Sequence, residues 1–286
     1  MLTDKLALGT AQFGLDYGIS NLSGQTPLSE VKEILNLARS KDIAFLDTAS
    51  AYGESEKILG DIGVKKFKVI SKFIATEKSQ LDYQINTTLT KLNAKSIYGY
   101  LSHRPKQVFS NTSLWDKLND YKELKTINKI GFSISTIEEF HKISELNLIP
   151  DLIQIPYNLF DQRFTDHIEK FRSLYGTEIH SRSTFLQGLF FMNYSKLKEP
   201  LGVFRDSLKS LNKVSEKYRL SISNLALNYV TSSPLIDKVL VGVQNKIQLN
   251  ELLQVSRIEN IGEIINEIKL IKTEHRELLN PSNWQK

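Results

Sequence analysis

Short apolar segments rich in β-branched residues alternate with longer segments of helical periodicity along the chain of 286 residues. Such alternation is typical of parallel strands joined by right-handed helical crossovers. The pattern predicts eight strands, at Leu6–Leu8, Ile43–Leu46, Lys68–Ile70, Ile97–Leu101, Lys129–Phe132, Leu152–Ile155, Thr177–His180 and Lys238–Val241. Eight strands favour a closed (β/α)8 TIM barrel over an open sheet, and no G-x-G-x-x-G segment follows the first strand. We therefore expect a single barrel domain over residues 1–286.

The clearest predicted helix is Leu28–Ser40, where Val31, Ile34, Leu35 and Ala38 form one apolar stripe. Ser29 is the expected N-cap of this helix. Further helices are predicted near Glu54–Asp61, Ser79–Leu92, Ser113–Leu118, Ile137–Leu146, Thr165–Leu174, Pro200–Tyr218, Ser223–Thr231, Ile247–Gln254 and Ile261–Leu278.

Composition excludes several classes of function. The net charge of +5 is mild, and the lysines are scattered apart from Lys65–Lys68, so no nucleic-acid partner is expected. No apolar run approaches the roughly 20 residues that cross a bilayer, so no membrane association is expected. The chain has no cysteine, which leaves no disulfide framework or zinc–thiolate site, and we expect no metal. Together with a start that lacks a signal-peptide pattern, this leads us to expect a cytoplasmic protein.

Four ionisable residues follow successive predicted strands. Asp47 and Tyr52 come after the second strand, Lys72 after the third and His103 after the fourth. Each residue alone has an ordinary structural explanation, such as a turn cap, a solvated lysine or a packed ring. In a barrel, however, the active site is built at the carboxyl ends of the strands, so these side chains are expected to converge on one rim.

The segments "DTASAYG", "SKF" and "LSHRP" that carry these four residues resemble the aldo-keto reductase superfamily, and the resemblance covers essentially the whole chain. It implies reversible reduction of an aldehyde or ketone by hydride from a nicotinamide. Tyr52 would then donate the proton and Lys72 would lower the pKa of that phenol. Asp47 would keep Lys72 charged, and His103 would orient the substrate oxygen.

The same resemblance implies a cofactor site made of Gly9, Thr10, Asp47, Ser133, Gln154, Arg182, Ser183, Leu186, Gly188, Gly242, Gln244, Lys246, Gln248 and Glu251. Ile134 stands where the family usually has Asn, and Arg182 where many members stack an aromatic ring on the nicotinamide. The resemblance implies NADPH. Because Gln248 replaces an Arg that is common in NADPH-selective members, NADH stays open, with Lys246 as the nearby compensating cation.

The expected partner is a small carbonyl substrate, and the protein is expected to be a monomer or weak oligomer. Phe13, Tyr17, Phe73, Arg104 and Trp284 are the candidate substrate residues; they suit a sugar-type carbonyl, and Arg104 suits an anionic or phosphorylated one. The alternative is a cofactor-binding regulatory or sensor protein with little turnover. An unrelated phosphate-binding barrel is disfavoured, since it needs no phenol, ammonium and carboxylate at these spacings. Few residues precede the first strand, so the usual N-terminal hairpin across the barrel bottom is not expected.

Overall fold

The computed structural model describes residues 2–284, in which eight parallel strands close into a barrel in chain order. The strands are β1 (Leu6–Gly9), β2 (Phe45–Asp47), β3 (Lys68–Phe73), β4 (Ile97–Ser102), β5 (Ile127–Ser133), β6 (Leu152–Pro156), β7 (Glu178–Arg182) and β8 (Lys238–Gly242). Pairing of Leu8 in β1 with Val241 in β8 completes the ring. The predicted (β/α)8 barrel is thereby confirmed, with strand ends that differ from the predicted ones by at most three residues.

Helices surround the barrel, and two short ones, at residues 11–14 and 105–110, follow the carboxyl ends of strands β1 and β4. They are α1 (Ala11–Gly14), α2 (Leu28–Ser40), α3 (Ser55–Ile62), α4 (Lys78–Lys91), α5 (Pro105–Ser110), α6 (Ser113–Glu123), α7 (Ile137–Glu145), α8 (Thr165–Tyr175), α9 (Arg205–Tyr218), α10 (Ile222–Ser232), α11 (Lys246–Leu253) and α12 (Gly262–Lys269). Short 3-10 turns lie at Leu2–Lys5, Leu186–Phe191, Tyr194–Lys196, Leu201–Phe204, Arg276–Leu279 and Pro281–Asn283. None of the helices within residues 2–284 is long and apolar enough to cross a membrane.

Several details of the helix prediction are wrong. The helix predicted to end at Leu118 continues to Glu123, and α9 begins at Arg205 instead of Pro200, after the 3-10 turn Leu201–Phe204.

Ser29 is the second residue of α2 and not its N-cap. The N-cap is Pro27, which has an extended backbone (φ −60°, ψ 146°) and directly precedes the first helical residue, Leu28. The last predicted helix ends at Lys269 instead of Leu278, since the apolar spacing that packs Ile264 and Ile268 into the core gives way to a charged segment. The sequence pattern also missed α1 and α5, which are too short to show helical periodicity.

A small apolar cluster fills the barrel interior. It consists of Ala7, Phe45, Ile70, Leu101, Leu152 and Leu240, one residue from each of six strands. Because side chains alternate along a strand, the residues two positions further on point to the same side of the sheet. Those residues are Gly9, Asp47, Lys72, His103, Gln154 and Gly242. The strand period therefore places six predicted site residues in one layer at the carboxyl end of the barrel.

Candidate active site

A buried ion pair lies at the bottom of this layer. The ammonium of Lys72 is 2.6 Å from Oδ2 of Asp47, and the two side chains are 1% and 4% exposed. Lys72 also donates to the main-chain carbonyl of Thr48 at 2.8 Å, and Oδ1 of Asp47 accepts from Nε2 of Gln154 at 2.7 Å. Both carboxylate oxygens thus have a donor, which a buried charge requires, and the lysine is held in one position.

Tyr52 lies over this ion pair. Its ring centroid is 5.0 Å from the ammonium of Lys72 and 5.8 Å from the ring of His103, which meets it edge-on at 84°. The loop that carries Tyr52 is packed against α1, where a Cβ on Gly14 would lie 1.9 Å from the carbonyl oxygen of Tyr52. Gly14 is therefore needed for the close approach that fixes the tyrosine. The structure brings the four predicted catalytic residues together.

The electrostatics of Tyr52 differ from the sequence-based expectation. Burial raises the pKa of the phenol well above its ordinary value; the carboxylate of Asp47 adds to this rise, and Arg182 opposes it. The net direction is opposite to the lowering expected from Lys72, whose charge is paired with the carboxylate of Asp47 at 2.6 Å. The site consequently keeps Tyr52 in its protonated form.

His103 is neutral at physiological pH. Burial lowers its pKa to about 3, and the nearby cations of Lys72, Arg182 and Arg104 act in the same direction. Nδ1 of His103 is buried without a hydrogen-bond partner among residues 2–284. The pKa of Lys72 is lowered by burial as well, while the charge and hydrogen bond of Asp47 oppose that shift.

A cleft of about 1070 Å³ opens above these residues. Of the sequence-predicted residues, those that line it are Gly9, Thr10, Asp47, Tyr52, His103, Ser133, Gln154, Arg182, Ser183, Gly188, Gly242, Gln244, Gln248 and Glu251. Three do not line it: Lys72 is covered by its neighbours, Leu186 is fully buried and Lys246 lies outside at the surface. Tyr17 and Arg104 also line the cleft, whereas Phe13 and Phe73 are core residues and Trp284 donates to the carbonyl of Leu278.

The loop after β7 has an unusual backbone. Ser183, Leu186, Gln187 and Gly188 have φ values of 59°, 47°, 53° and 92°, in the left-handed region that non-glycine residues rarely adopt. Backbone strain of this kind is typical of ligand-binding segments, although the amides of Leu186 and Gly188 already donate to the carbonyls of Ser183 and Phe185. This backbone is consistent with the predicted pyrophosphate-binding role of the loop.

The same loop contacts the segment after β1, which sequence reasoning did not connect with it. Nε2 of Gln187 donates to the hydroxyl of Tyr17 at 3.1 Å, and the amide of Ile19 donates to the carbonyl of Gln187 at 3.1 Å. A Cβ on Gly188 would lie 1.9 Å from Oγ of Ser20, so glycine permits this approach. The loop after β1 and the loop after β7, which are about 170 residues apart in the sequence, therefore meet at the edge of the cleft.

Arg182 is tied to the cleft wall. Its Nη2 donates to the carbonyl of Ile134 at 3.1 Å and to the hydroxyl of Ser135 at 2.8 Å. Glu139 accepts from the amides of Ser135 and Thr136 at 2.7 and 3.1 Å and so braces this turn. Ser135 and Glu139 were missed as cleft residues; the T-x-x-E capping box at residues 136–139 was the available signal.

The far end of the cleft is closed by side chains at the start of α11. Lys246 pairs with Glu33 at 2.8 Å, and its amide donates to Glu30 at 2.5 Å. The amide of Gln244 donates to Oε1 of Gln248 at 2.8 Å, and the amide of Gln248 donates to Asn245 at 2.9 Å. The three amides are therefore already satisfied by side chains, one by the carboxylate of Glu30 and two by the side-chain amides of Gln248 and Asn245.

The comparisons with known proteins agree with this geometry. The model of the aldo/keto reductase family matches residues 5–271. A Pseudomonas aeruginosa protein assigned to the aldo-keto reductases is 22% identical, with 88% of each chain covered and a TM-score of 0.67. A glycerol dehydrogenase from Gluconobacter oxydans is 18% identical, with 92% of this chain and 90% of that chain covered and a TM-score of 0.72. No curated protein matches the chain.

Proposed function

The chain belongs to the aldo/keto reductase family, and from this premise we propose that it is an NAD(P)H-dependent oxidoreductase that reduces an aldehyde or ketone to an alcohol, with Tyr52 as proton donor. The observation that carries the proposal is the buried pair of Lys72 and Asp47 beneath Tyr52, with His103 beside the ring. A structural role alone does not explain an ion pair whose desolvation is costly and which is directed to a cleft.

The cleft suits a nicotinamide dinucleotide. Its volume of about 1070 Å³ reaches the upper end of the range for small-molecule sites. Ser133 and Gln154 lie on neighbouring strands at its inner end, where the carboxamide would bind, and the left-handed loop after β7 would hold the pyrophosphate. When bound, the nicotinamide would supply the hydride that adds to the carbonyl carbon.

The protein's own residues would perform the proton transfer. Tyr52 is held protonated by burial, so its hydroxyl is available as an acid across neutral pH. Lys72 and Arg182 would stabilise the phenolate that remains after the proton has moved to the carbonyl oxygen. His103, neutral at pH 7, would donate a hydrogen bond to that oxygen and orient the carbonyl.

The charges at the far end of the cleft favour NADH over the NADPH that the resemblance implies. The 2′-phosphate of NADPH needs cations or free amides, and Lys246 is the cation available at the start of α11. Glu33 already compensates that lysine, Glu30 occupies its amide, and Glu251 lines the cleft nearby. A phosphate dianion there would meet carboxylates, whereas the ribose hydroxyl of NADH would find acceptors for a hydrogen bond.

The outer cleft suits a polar carbonyl substrate. Arg104, Lys106, Asn280 and Ser282 line it and offer cationic and hydrogen-bonding groups. Such a lining fits a sugar-type or anionic hydroxyaldehyde, and the structural similarity to a glycerol dehydrogenase supports a polyhydroxylated substrate class. A phosphorylated aldehyde is the sharper test of Arg104, because binding of its phosphate group would depend on that cation.

The proposal is tested by titrating the protein with NADH and NADPH through nicotinamide fluorescence. Oxidation of the bound dinucleotide is then followed with simple, sugar-type and phosphorylated aldehydes. Tight binding with turnover of at least one aldehyde supports the reductase. Tight binding with no turnover of any class would favour the cofactor-binding sensor, and failure to bind either dinucleotide would contradict both.

A further inference from the structure

A second concavity of about 650 Å³ lies at the opposite end of the barrel, where the strands begin. Lys68 and Lys238 are the first residues of β3 and β8, two positions before Ile70 and Leu240 of the interior cluster. The strand period therefore directs both lysines to the barrel floor, where Lys129 and Arg172 also line the concavity. We call this concavity the floor pocket.

The carboxylates of the floor pocket are already engaged. Glu178 pairs with Lys129 and accepts hydrogen bonds from the hydroxyl of Tyr98 at 2.6 Å and from Nε2 of His180 at 2.5 Å. Asp237 pairs with Arg172 and accepts from the amide of Ile179 at 2.8 Å. Neither carboxylate is within ion-pair distance of another cation of the pocket.

Lys68 and Lys238 have no carboxylate within ion-pair distance in the part of the chain that the structure describes. The ammonium of Lys68 lies 5.2 Å from the ring centroid of Phe45 and 5.1 Å from that of Tyr98. The ammonium of Lys238 lies 4.5 Å from the centroid of Phe45 and donates to the carbonyl of Asp4. The ammonium groups of Lys68 and Lys238 thus both contact the ring of Phe45. Two lysines without a shared partner would be expected to extend away from each other into water.

The lining of the pocket has an excess of two positive charges, because it contains four cations and the two carboxylates Glu178 and Asp237. A phosphate monoester carries about −1.5 to −2 at pH 7, which matches this excess. Burial lowers the pKa of Lys238 and the charge of Lys68 acts in the same direction, while the carboxylates of Glu178, Asp4 and Asp237 oppose the shift. An anion between the two lysines would relieve their mutual repulsion.

From this arrangement we propose that the floor pocket binds the phosphate group of a small molecule between Lys68 and Lys238. The ammonium groups would contact the phosphate oxygens, while the rings of Phe45 and Tyr98 hold these groups by cation–π contacts. This site is separate from the cleft and does not depend on the proposed reaction.

Isothermal titration with inorganic phosphate at constant ionic strength tests the proposal. Because each charge-assisted contact is strong, Lys68→Gln combined with Lys238→Gln should weaken phosphate binding by at least about tenfold. The matched control combines Lys65→Gln with Lys66→Gln, which removes two exposed lysines of the loop before β3 and should leave the affinity unchanged. Lys68→Arg combined with Lys238→Arg should retain binding and shows that the pocket still folds.

Equal phosphate affinity in the wild type and in the Lys68→Gln, Lys238→Gln variant would overturn the proposal, since the phosphate would then occupy the cleft or another surface. Absence of measurable binding to the wild type would overturn it as well.

Discussion

The ammonium of Lys246 lies 2.8 Å from the carboxylate of Glu33, although α11 and α2 are far apart in the sequence. The contact places an acidic group beside the lysine that would have to pair with the 2′-phosphate of NADPH in the proposed dinucleotide site. Glu30, one turn earlier on α2, accepts the amide of the same lysine. In the proposed dinucleotide site, side chains of α2 would therefore influence the preference between NADH and NADPH.

Glu33→Gln is expected to improve NADPH binding roughly fivefold and to leave NADH binding nearly unchanged, because it frees Lys246 and removes one repulsive charge. Fluorescence titration of both dinucleotides measures the ratio of affinities. Glu169→Gln, an exposed change of the same charge on α8, is the control and should alter neither affinity. A wild type that already binds NADPH more tightly than NADH would contradict the argument.

Tyr52→Phe is expected to lower the reduction rate by at least about 10²-fold, because the variant has no proton to donate at the carbonyl oxygen. The ring still covers Lys72 and contacts His103, so the dissociation constant of the dinucleotide should change little. Steady-state kinetics and fluorescence titration separate the two effects. Turnover that survives this substitution would remove Tyr52 from its assigned role.

Breaking the buried pair should strongly destabilise the fold. Lys72→Met or Asp47→Asn each leaves a buried group without its partner and is expected to cost about 3–5 kcal/mol of unfolding free energy. The double variant should lose much less than the sum, because no uncompensated charge remains. Urea denaturation measures all three. Lys57→Met, which breaks the exposed pair with Asp61, is the control, and additive losses would show that the buried pair is not coupled.

The barrel and the convergence of the four candidate catalytic residues followed from the sequence for different physical reasons. Eight strands were predictable because the strand period and the crossover rule are local and topological properties. Asp47, Tyr52, Lys72 and His103 were predictable as a group because barrel strands end on one rim. The net rise in the pKa of Tyr52 was not, since it depends on how deeply the phenol is buried and on the charges of Asp47 and Arg182 around it.

Contacts between segments that are distant in the sequence could not be predicted either. The hydrogen bond from Gln187 to Tyr17 joins loops 170 positions apart, and neither loop has a periodic pattern that predicts the other. The anchoring of Arg182 by Ile134 and Ser135 likewise depends on the register of β5 and β7 at the rim. Such contacts determine the shape of the cleft, and so the substrate class was the least predictable property.

The buried imidazole of His103 should make the protein sensitive to mild acid. Its pKa is about 3 in the folded protein and about 6.5 in the unfolded chain, so between these values only the unfolded state binds the proton. The free energy of unfolding therefore decreases as the pH falls below 6.5, by about 1.4 kcal/mol for each pH unit from this group.

Denaturation of the cofactor-free protein at pH 7.5 and pH 5 is expected to show about 2 kcal/mol more acid-induced loss in the wild type than in His103→Gln, because glutamine has no proton to bind. Any constant packing cost of the substitution cancels in this difference between the two pH values. His275→Gln, a change at an exposed histidine, is the control and should lose as much stability as the wild type. Equal losses in the wild type and in His103→Gln would mean that the pKa of His103 is the same in the folded and unfolded states. In that case burial would not keep the imidazole neutral at mildly acidic pH.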